Sequence, residues 1–430
     1  MTNHWMFQHI APAAIGILLV SFTSHCAVGA QGDAGIMVNS WTARAEAHAR
    51  KMPNASSEDR VWDFIAGVYA QLGRYDLARS AVAHIADPKL RAVSFEQLTE
   101  KIAELGDWKS ARDMLNSIQD RKDRNRSLSA LAEFAIMRHC FREAQGVIDL
   151  ISDSRRQDEE RYMLALGQAH AGNYDAAVKT ASALRASDKE EYPDGRTKAD
   201  LLDFIAECRE SKKRDKPARK PETIYESIRD MGGAYDAPSG SALKENEDGM
   251  RYSPDPLKRT YSGYLLARAY RETGNAESRD TAIRKATQAL PNIRDDYQRL
   301  LTCTLIAQFL VETGERDQAG TLAKNTLTRK SITEAFGERD DYGLAPKIVS
   351  LFVRLGELPT AFEMAQLAKG AYSGDAWWAL GAACALEDRI GDAEKMLTQI
   401  GSEKHKALFC TGVAAGLCEA RQLRKKVVRG

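Results

Sequence analysis

The chain has 430 residues, 43% hydrophobic and 28% charged, which is enough apolar material for a packed core and too little bias for a disordered chain. With 61 Lys+Arg against 60 Asp+Glu the formal charge is +1, which excludes a global field drawing the protein to nucleic acid or an anionic membrane. At about 150 residues per domain this length predicts two or three compact domains, unless the chain is a repeat array.

Residues 1–30 contain no Asp, Glu, Lys or Arg, and Ile10 through Phe22 is apolar apart from Ser21. The segment closes on Val28-Gly29-Ala30, a small-residue cleavage site, so it reads as a signal peptide and predicts an exported protein, periplasmic or secreted. The apolar run is shorter than the roughly 18 residues of a membrane span, so no integral membrane segment is expected after cleavage. Lipid anchoring at Cys26 is a minor alternative.

Residues 31–57 follow as a capping segment. Trp41, Ala45 and Ala49 fall four apart, as on one face of a helix that would lie on the first repeat.

From residue 58 to 211 one pattern recurs. Gly73-Arg74-Tyr75-Asp76-Leu77-Ala78, Gly106-Asp107-Trp108-Lys109-Ser110-Ala111 and Gly172-Asn173-Tyr174-Asp175-Ala176-Ala177 are spaced by 33 and 66 residues, and a copy turning at His139 fills the gap with Phe141 and Ala144. Eight residues before each turn stand Ile65, Leu98, Leu131 and Leu164, and seven before stand Ala66, Thr99, Ala132 and Ala165. A large and then a small residue at a fixed place lets two helices interlock. After each turn, Val82, Leu115, Ile148 and Ala181, then Ile85, Ile118, Ile151 and Leu184, form the apolar stripe of a second helix.

Residues 197–211 predict one more first helix, with Leu201, Phe204, Ile205 and Cys208 on one face and Ile224, Ile228 and Met231 on its partner. Residues 212–257 then read as a basic segment and linker. Arg209 to Lys220 holds seven basic and two acidic residues, and Gly232 to Pro256 is rich in Gly, Pro, Ser and charge without periodicity. From 258 to 430 the register returns with turns at Gly274, Gly314, Gly356 and Asp388, with longer intervals that predict longer connecting loops, and Leu408 to Leu423 reads as a closing helix.

This pattern resembles the tetratricopeptide repeat, a helix-turn-helix unit of about 34 residues. Trp62, Ile65, Ala66, Tyr69, Gly73, Tyr75, Ala78 and Val82 follow its W-x2-L-G-x2-Y and G-x-Y-x2-A spacing, and Pro291 falls where that family closes a unit. Ile85, Ile118 and Ile151 depart from it where a small residue is usual. The resemblance implies an all-α, right-handed superhelical solenoid in two halves, whose first helices line a concave face through the residues thirteen, ten, six and three before each turn. It points to Arg126, Glu133, Tyr162, Tyr261, Tyr264, Arg268, Arg271 and Trp378 as a groove, with His170 near its edge. Tyr, Trp and Arg are frequent interface anchors because each combines contact area with a polar handle.

No catalytic constellation is legible. His48, His84, His139, His170 and His405 share no metal-ligand spacing, the cysteines from Cys140 to Cys418 form no C-x-x-C pair, and nucleophile-elbow, Walker and dinucleotide motifs are absent. A disulfide among Cys384, Cys410 and Cys418 is an alternative to three buried thiols. Glu159-Glu160, Asp295-Asp296 and Asp340-Asp341 each read as caps just before a first helix. The expectation is therefore a non-enzymatic scaffold without metal or cofactor, binding a protein or peptide and no nucleic acid. The alternatives are an enzyme or glycan-handling factor that uses the repeats as a chassis, and an architectural subunit of an envelope complex.

Overall fold

A computed structural model describes residues 33–52, 55–185, 192, 197–213, 240–338, 343–368 and 373–429. The leader, Cys26, the Ile224–Met231 partner helix, Asp340-Asp341 and most of the basic segment lie outside the described residues. The described chain is all-helical, with 21 α-helices and no strand. It divides into two compact units, Pro53–Gly233 and a second that joins Met1–Met52 to Ala234–Gly430.

In the Pro53–Gly233 unit four pairs succeed one another: α2 (Ala55–Gln71) with α3 (Tyr75–Ala83), α4 (Pro88–Glu104) with α5 (Trp108–Asn116), α6 (Arg121–Met137) with α7 (Phe141–Ile148), and α8 (Ser154–His170) with α9 (Tyr174–Ser182). α10 (Lys198–Lys213) follows. Each first helix packs on its own second helix and on the next first helix, so the pairs stack. The large positions Ile65, Leu131 and Leu164 are fully buried and Leu98 is nearly so, beside buried Ala66, Thr99, Ala132 and Ala165. Every predicted turn residue has left-handed backbone, from φ 57° at His139 and Asp388 to φ 89° at Gly314. This reverses the chain after a first helix and is why glycine recurs there.

The connection from one pair to the next is fixed by a second recurring set. Asp87, Asp120 and Asp153 cap α4, α6 and α8 by accepting from the amides of Lys89, Asp123 and Arg156. Asp59 accepts from the amides of Ala86 and Asp87, Asn125 from Ser152, and Asp158 from Arg185, each in the loop that leaves its own helix pair. Arg91 and Arg124 donate to the carbonyls of Ile85 and Ile118 at 3.0 and 2.9 Å. Ile85, Ile118 and Ile151, which depart from the tetratricopeptide pattern, thus lie just past their second helices, and at Ile85 and Ile118 the next first helix clamps the loop. Asn125, in an Asn-Arg-Ser glycan sequence, is 6% exposed and engaged in this clamp.

In the other unit, α11 (Gly240–Tyr252) precedes α12 (Pro256–Glu272) with α13 (Ala276–Ala289), α14 (Asp296–Glu312) with α15 (Arg316–Thr326), α16 (Arg329–Glu338), α17 (Leu344–Arg354) with α18 (Leu358–Leu367), α19 (Ser373–Leu386) with α20 (Ile390–Gln399), and α21 (Glu403–Arg429). Three expectations are corrected here. The aperiodic stretch before Pro256 contains the helix α11, which packs on α12 because Gly249 comes so close to Ser262 that a Cβ would meet its Oγ at 2.6 Å; this contact outweighs the weak helix propensity of glycine. The later insertions are partly helical, since Ile332 is fully buried and anchors α16 against α14. Finally, α1 (Asp33–Ala49) packs along α21, where the sequence placed it on the first repeat. Trp41 meets Phe409 edge-on at 6.3 Å, and Arg44 binds Glu394 at 2.7 Å.

α19 and α21 approach through glycines. A Cβ at Gly412 would overlap the Trp378 carbonyl oxygen, at Gly381 the Phe409 carbonyl oxygen, and at Gly416 the Ala382 carbonyl oxygen. The six cysteines of the described chain are free thiols, five of them buried, and burial pushes Cys303, Cys384, Cys410 and Cys418 up to about 12. No disulfide joins the last three.

Candidate functional site

In the Pro53–Gly233 unit a residue ten or six before the turn is acidic in three of four repeats. Asp63, Glu96, Glu100 and Glu133 stand on α2, α4 and α6, and Glu160 of α8 joins them from the neighbouring position. Glu96 pairs with exposed Arg126 at 3.1 Å, across the α4–α6 contact, and Arg126 also reaches Asp123. Glu104 pairs with Lys101 and Arg138, and Glu159 with Arg155. Among the described residues Glu100, Glu133 and Glu160 have no such pair.

Their proton affinities reflect that isolation. Burial pushes Glu100 up to about 7, with Glu96, Glu104 and Glu133 adding repulsion. Burial pushes Glu160 up to about 8; Glu133 and Glu159 reinforce this, while the Ser129 hydroxyl and Arg156 pull the other way. Glu133 reaches solvent, yet the protein packed around it also raises its carboxyl, with Arg156 opposing. The sequence places Glu159-Glu160 just before a helix; both lie inside α8, which Asp153 caps. Asp295 does cap its helix, accepting from the Gln298 amide at 2.8 Å.

The sequence-derived groove residues divide. Arg126, Glu133 and His170 are at the surface, the last with its ring 5.6 Å from Phe204. Tyr162 is core: it is 1% exposed and stacks on Tyr192 at 4.4 Å, within a cluster holding Leu166, Leu184, Leu201 and Ile205. The residue ten before the turn is therefore drawn inside where the stack ends against α10.

In the other unit Tyr261 is 46% exposed, whereas Tyr264 is buried and meets Phe309 edge-on. Arg268 donates to the Tyr264 hydroxyl at 3.4 Å. Arg271 binds Glu312 at 2.8 Å, and Glu312 also lies 3.8 Å from Arg354. Arg354 is 8% exposed; burial lowers its proton affinity while Glu312 and Glu387 hold it up. This network links the ends of α12, α14, α17 and α19, so Arg271 stitches one repeat to the next. Trp378 is half-buried at the α19–α21 contact.

The histidines are spread through the packing. His84 stacks on Trp62, His139 occupies a turn, His405 stacks on Trp377, and His48 meets Glu403. Among the described residues no group of His, Cys, Asp or Glu gathers as a metal site, and no helix is long and apolar enough to cross a membrane. An open hollow of about 590 Å³ lies between α11 and α12, lined by Lys244, Asp248, Tyr252, Ser253 and Lys258.

The acidic positions were within reach of the sequence, because the offsets that select Glu133 also select Glu96 and Glu100 when counted from Gly106. Glu160 was hidden, since only the stacking brings it beside Glu133.

No family model matches the chain, and no curated protein matches it. Matches to solved structures include one described as the crystal structure of Ton1535 from Thermococcus onnurineus NA1. It is 13% identical, covers 81% of this chain and 98% of that one, and has a TM-score of 0.24, too low to bear on fold or function.

Proposed function

We propose that this protein is an exported scaffold of tetratricopeptide-like repeats, wound as a right-handed superhelical solenoid, that binds a protein or peptide along the inner face of its first helices. The observation that supports this most is the recurring register. Left-handed turn residues at 33-residue intervals set successive first helices alike, so that Glu96, Glu100, Arg126 and Glu133 follow one another along a single face. Side chains repeated at helix spacing suit an elongated partner better than a small substrate, which needs groups converging on one point.

The test is affinity capture from the native envelope fraction with the full chain, comparing wild type with Arg126→Ala/Glu133→Ala. Both side chains reach solvent, so the variant keeps its fold, checked by circular dichroism. A protein retained by wild type and lost by the variant supports the reading. Retention of nothing specific by either form counts against it.

The hollow between α11 and α12 favours a second reading, in which the repeats carry a ligand-handling site with Lys244, Lys258 and Asp248 around a polar small molecule. Lys244→Ala/Lys258→Ala would then abolish binding of that molecule and leave envelope capture unchanged.

A further inference from the structure

Resting on the scaffold reading, we infer that the Pro53–Gly233 unit takes a basic peptide segment, with lysine or arginine side chains seated on Glu100, Glu133 and Glu160. These three carboxylates stand on consecutive first helices, α4, α6 and α8, and none has an ion pair among the described residues, whereas Glu96, Glu104 and Glu159 beside them each have one. Arg156 is near enough to favour the ionised forms of Glu133 and Glu160, yet it forms an ion pair with neither.

Glu160 supplies a second, independent observation. It is 6% exposed and lies beside Glu133 on the neighbouring helix, and the Ser129 hydroxyl stands near it without closing a hydrogen bond, so its Oε2 is left without a partner. A buried acceptor left unpaired carries an uncompensated desolvation cost, larger when it is charged, so such an atom marks a place where a donor from outside would be strongly held. An ammonium or guanidinium is a donor of the right sign. A metal ion fits less well, because no metal-binding group of side chains gathers among the described residues.

Spacing makes the class of partner specific. Packed helices lie about 8–10 Å apart, and a peptide in the polyproline II conformation advances about 3.1 Å per residue with about three residues per turn, so side chains on one face that visit three successive helices recur at every third position. The matching segment is K-x-x-K-x-x-K, in which arginine can replace lysine.

The experiment uses the full chain and three labelled peptides read by fluorescence anisotropy in low salt and at about 0.15 M salt. One carries lysine at every third position, one has the same composition with the lysines contiguous, and one has glutamate in their place. The chain is wild type or Glu100→Gln/Glu160→Gln, an isosteric change that matches the neutral, protonated side chains and so retains the fold; its melting temperature verifies this. The expected result is that the spaced lysine peptide binds wild type most tightly, that the variant loses about tenfold or more in affinity, and that the glutamate peptide does not bind. Equal binding of the spaced and contiguous peptides, an unchanged affinity in the variant, or no binding in low salt would overturn the inference. If these peptides fail while envelope capture still returns a partner sensitive to Arg126→Ala/Glu133→Ala, only the basic-peptide assignment falls. If both fail, the scaffold reading falls with it.

Discussion

His48 Nδ1 lies 2.6 Å from Glu403 Oε2, although 355 residues separate them in the chain. The contact fastens α1 to the start of α21, and Trp41 against Phe409 completes the seam. Glu403 is held down to about 2, first by its hydrogen bond with His48 and next by that with Lys406.

Removing the indole that fills this seam is therefore costly. Trp41 is 2% exposed, and Trp41→Ala should lower the stability of the unit that contains α21 by about 3–5 kcal/mol. Urea unfolding followed at Trp377 and Trp378 would report this, and an unchanged midpoint would show that α1 is not docked in solution.

The same seam sets an acid limit. A carboxyl whose folded value lies below its unfolded value of 4.5 stabilises the fold above 4.5 and loses that contribution as pH falls toward 2. Acid unfolding should thus begin at higher pH in His48→Ala than in wild type. Identical acid transitions would mean that the pair contributes nothing.

The α19–α21 contact tolerates no added atoms. Gly412→Ala and Gly381→Ala press a methyl group into backbone carbonyls that cannot rotate away, and each should destabilise by about 1–3 kcal/mol. Gly67→Ala in α2 meets nothing within 4 Å and should instead stabilise by about 0.5–1 kcal/mol. Thermal melts of the three variants, ordered the other way, would refute the close approach.

Two turns hold a non-glycine residue in the left-handed region. His139→Gly and Asp388→Gly relieve a strain of about 1–2 kcal/mol, partly offset by the greater freedom of glycine when unfolded, so a small net gain is expected. Gly314→Ala at φ 89° should lose stability. Chemical denaturation of the three distinguishes backbone strain from side-chain effects.

Glu100 and Glu160 predict a loss of stability on the alkaline side. Their folded values, about 7 and about 8, lie above the unfolded 4.5, so both states are protonated below 4.5 and there is no penalty there. Above 4.5 the unfolded chain releases the protons first, and stability falls until the folded carboxyls ionise near 7 and 8, then levels. The slope is at most about 1.4 kcal/mol per pH unit for each group. Glu100→Gln/Glu160→Gln should flatten the stability profile between pH 5 and about 8, measured by urea midpoints; a profile as steep as that of wild type would contradict the placement of these groups.

The sequence alone determined the repeat. A recurring turn residue, a large-small pair eight and seven residues before it and an apolar stripe after it are local patterns, because helix period and left-handed turns depend on neighbours in the chain. That is why all eight turns, even the non-glycine His139 and Asp388, could be placed. Long-range contacts decided the rest. That α1 lies on α21 depends on Trp41 finding Phe409, and that Tyr162 is core depends on Tyr192; neither partner is marked by spacing. The glycines of α21 look like weak points in a helix until Trp378 and Ala382 are found against them. The candidate site divides in the same way: Arg126 and Glu133 follow from counting, whereas the unpaired state of Glu160 exists only once α6 and α8 are stacked, since burial and charge pairing belong to the assembled neighbourhood and not to any one residue.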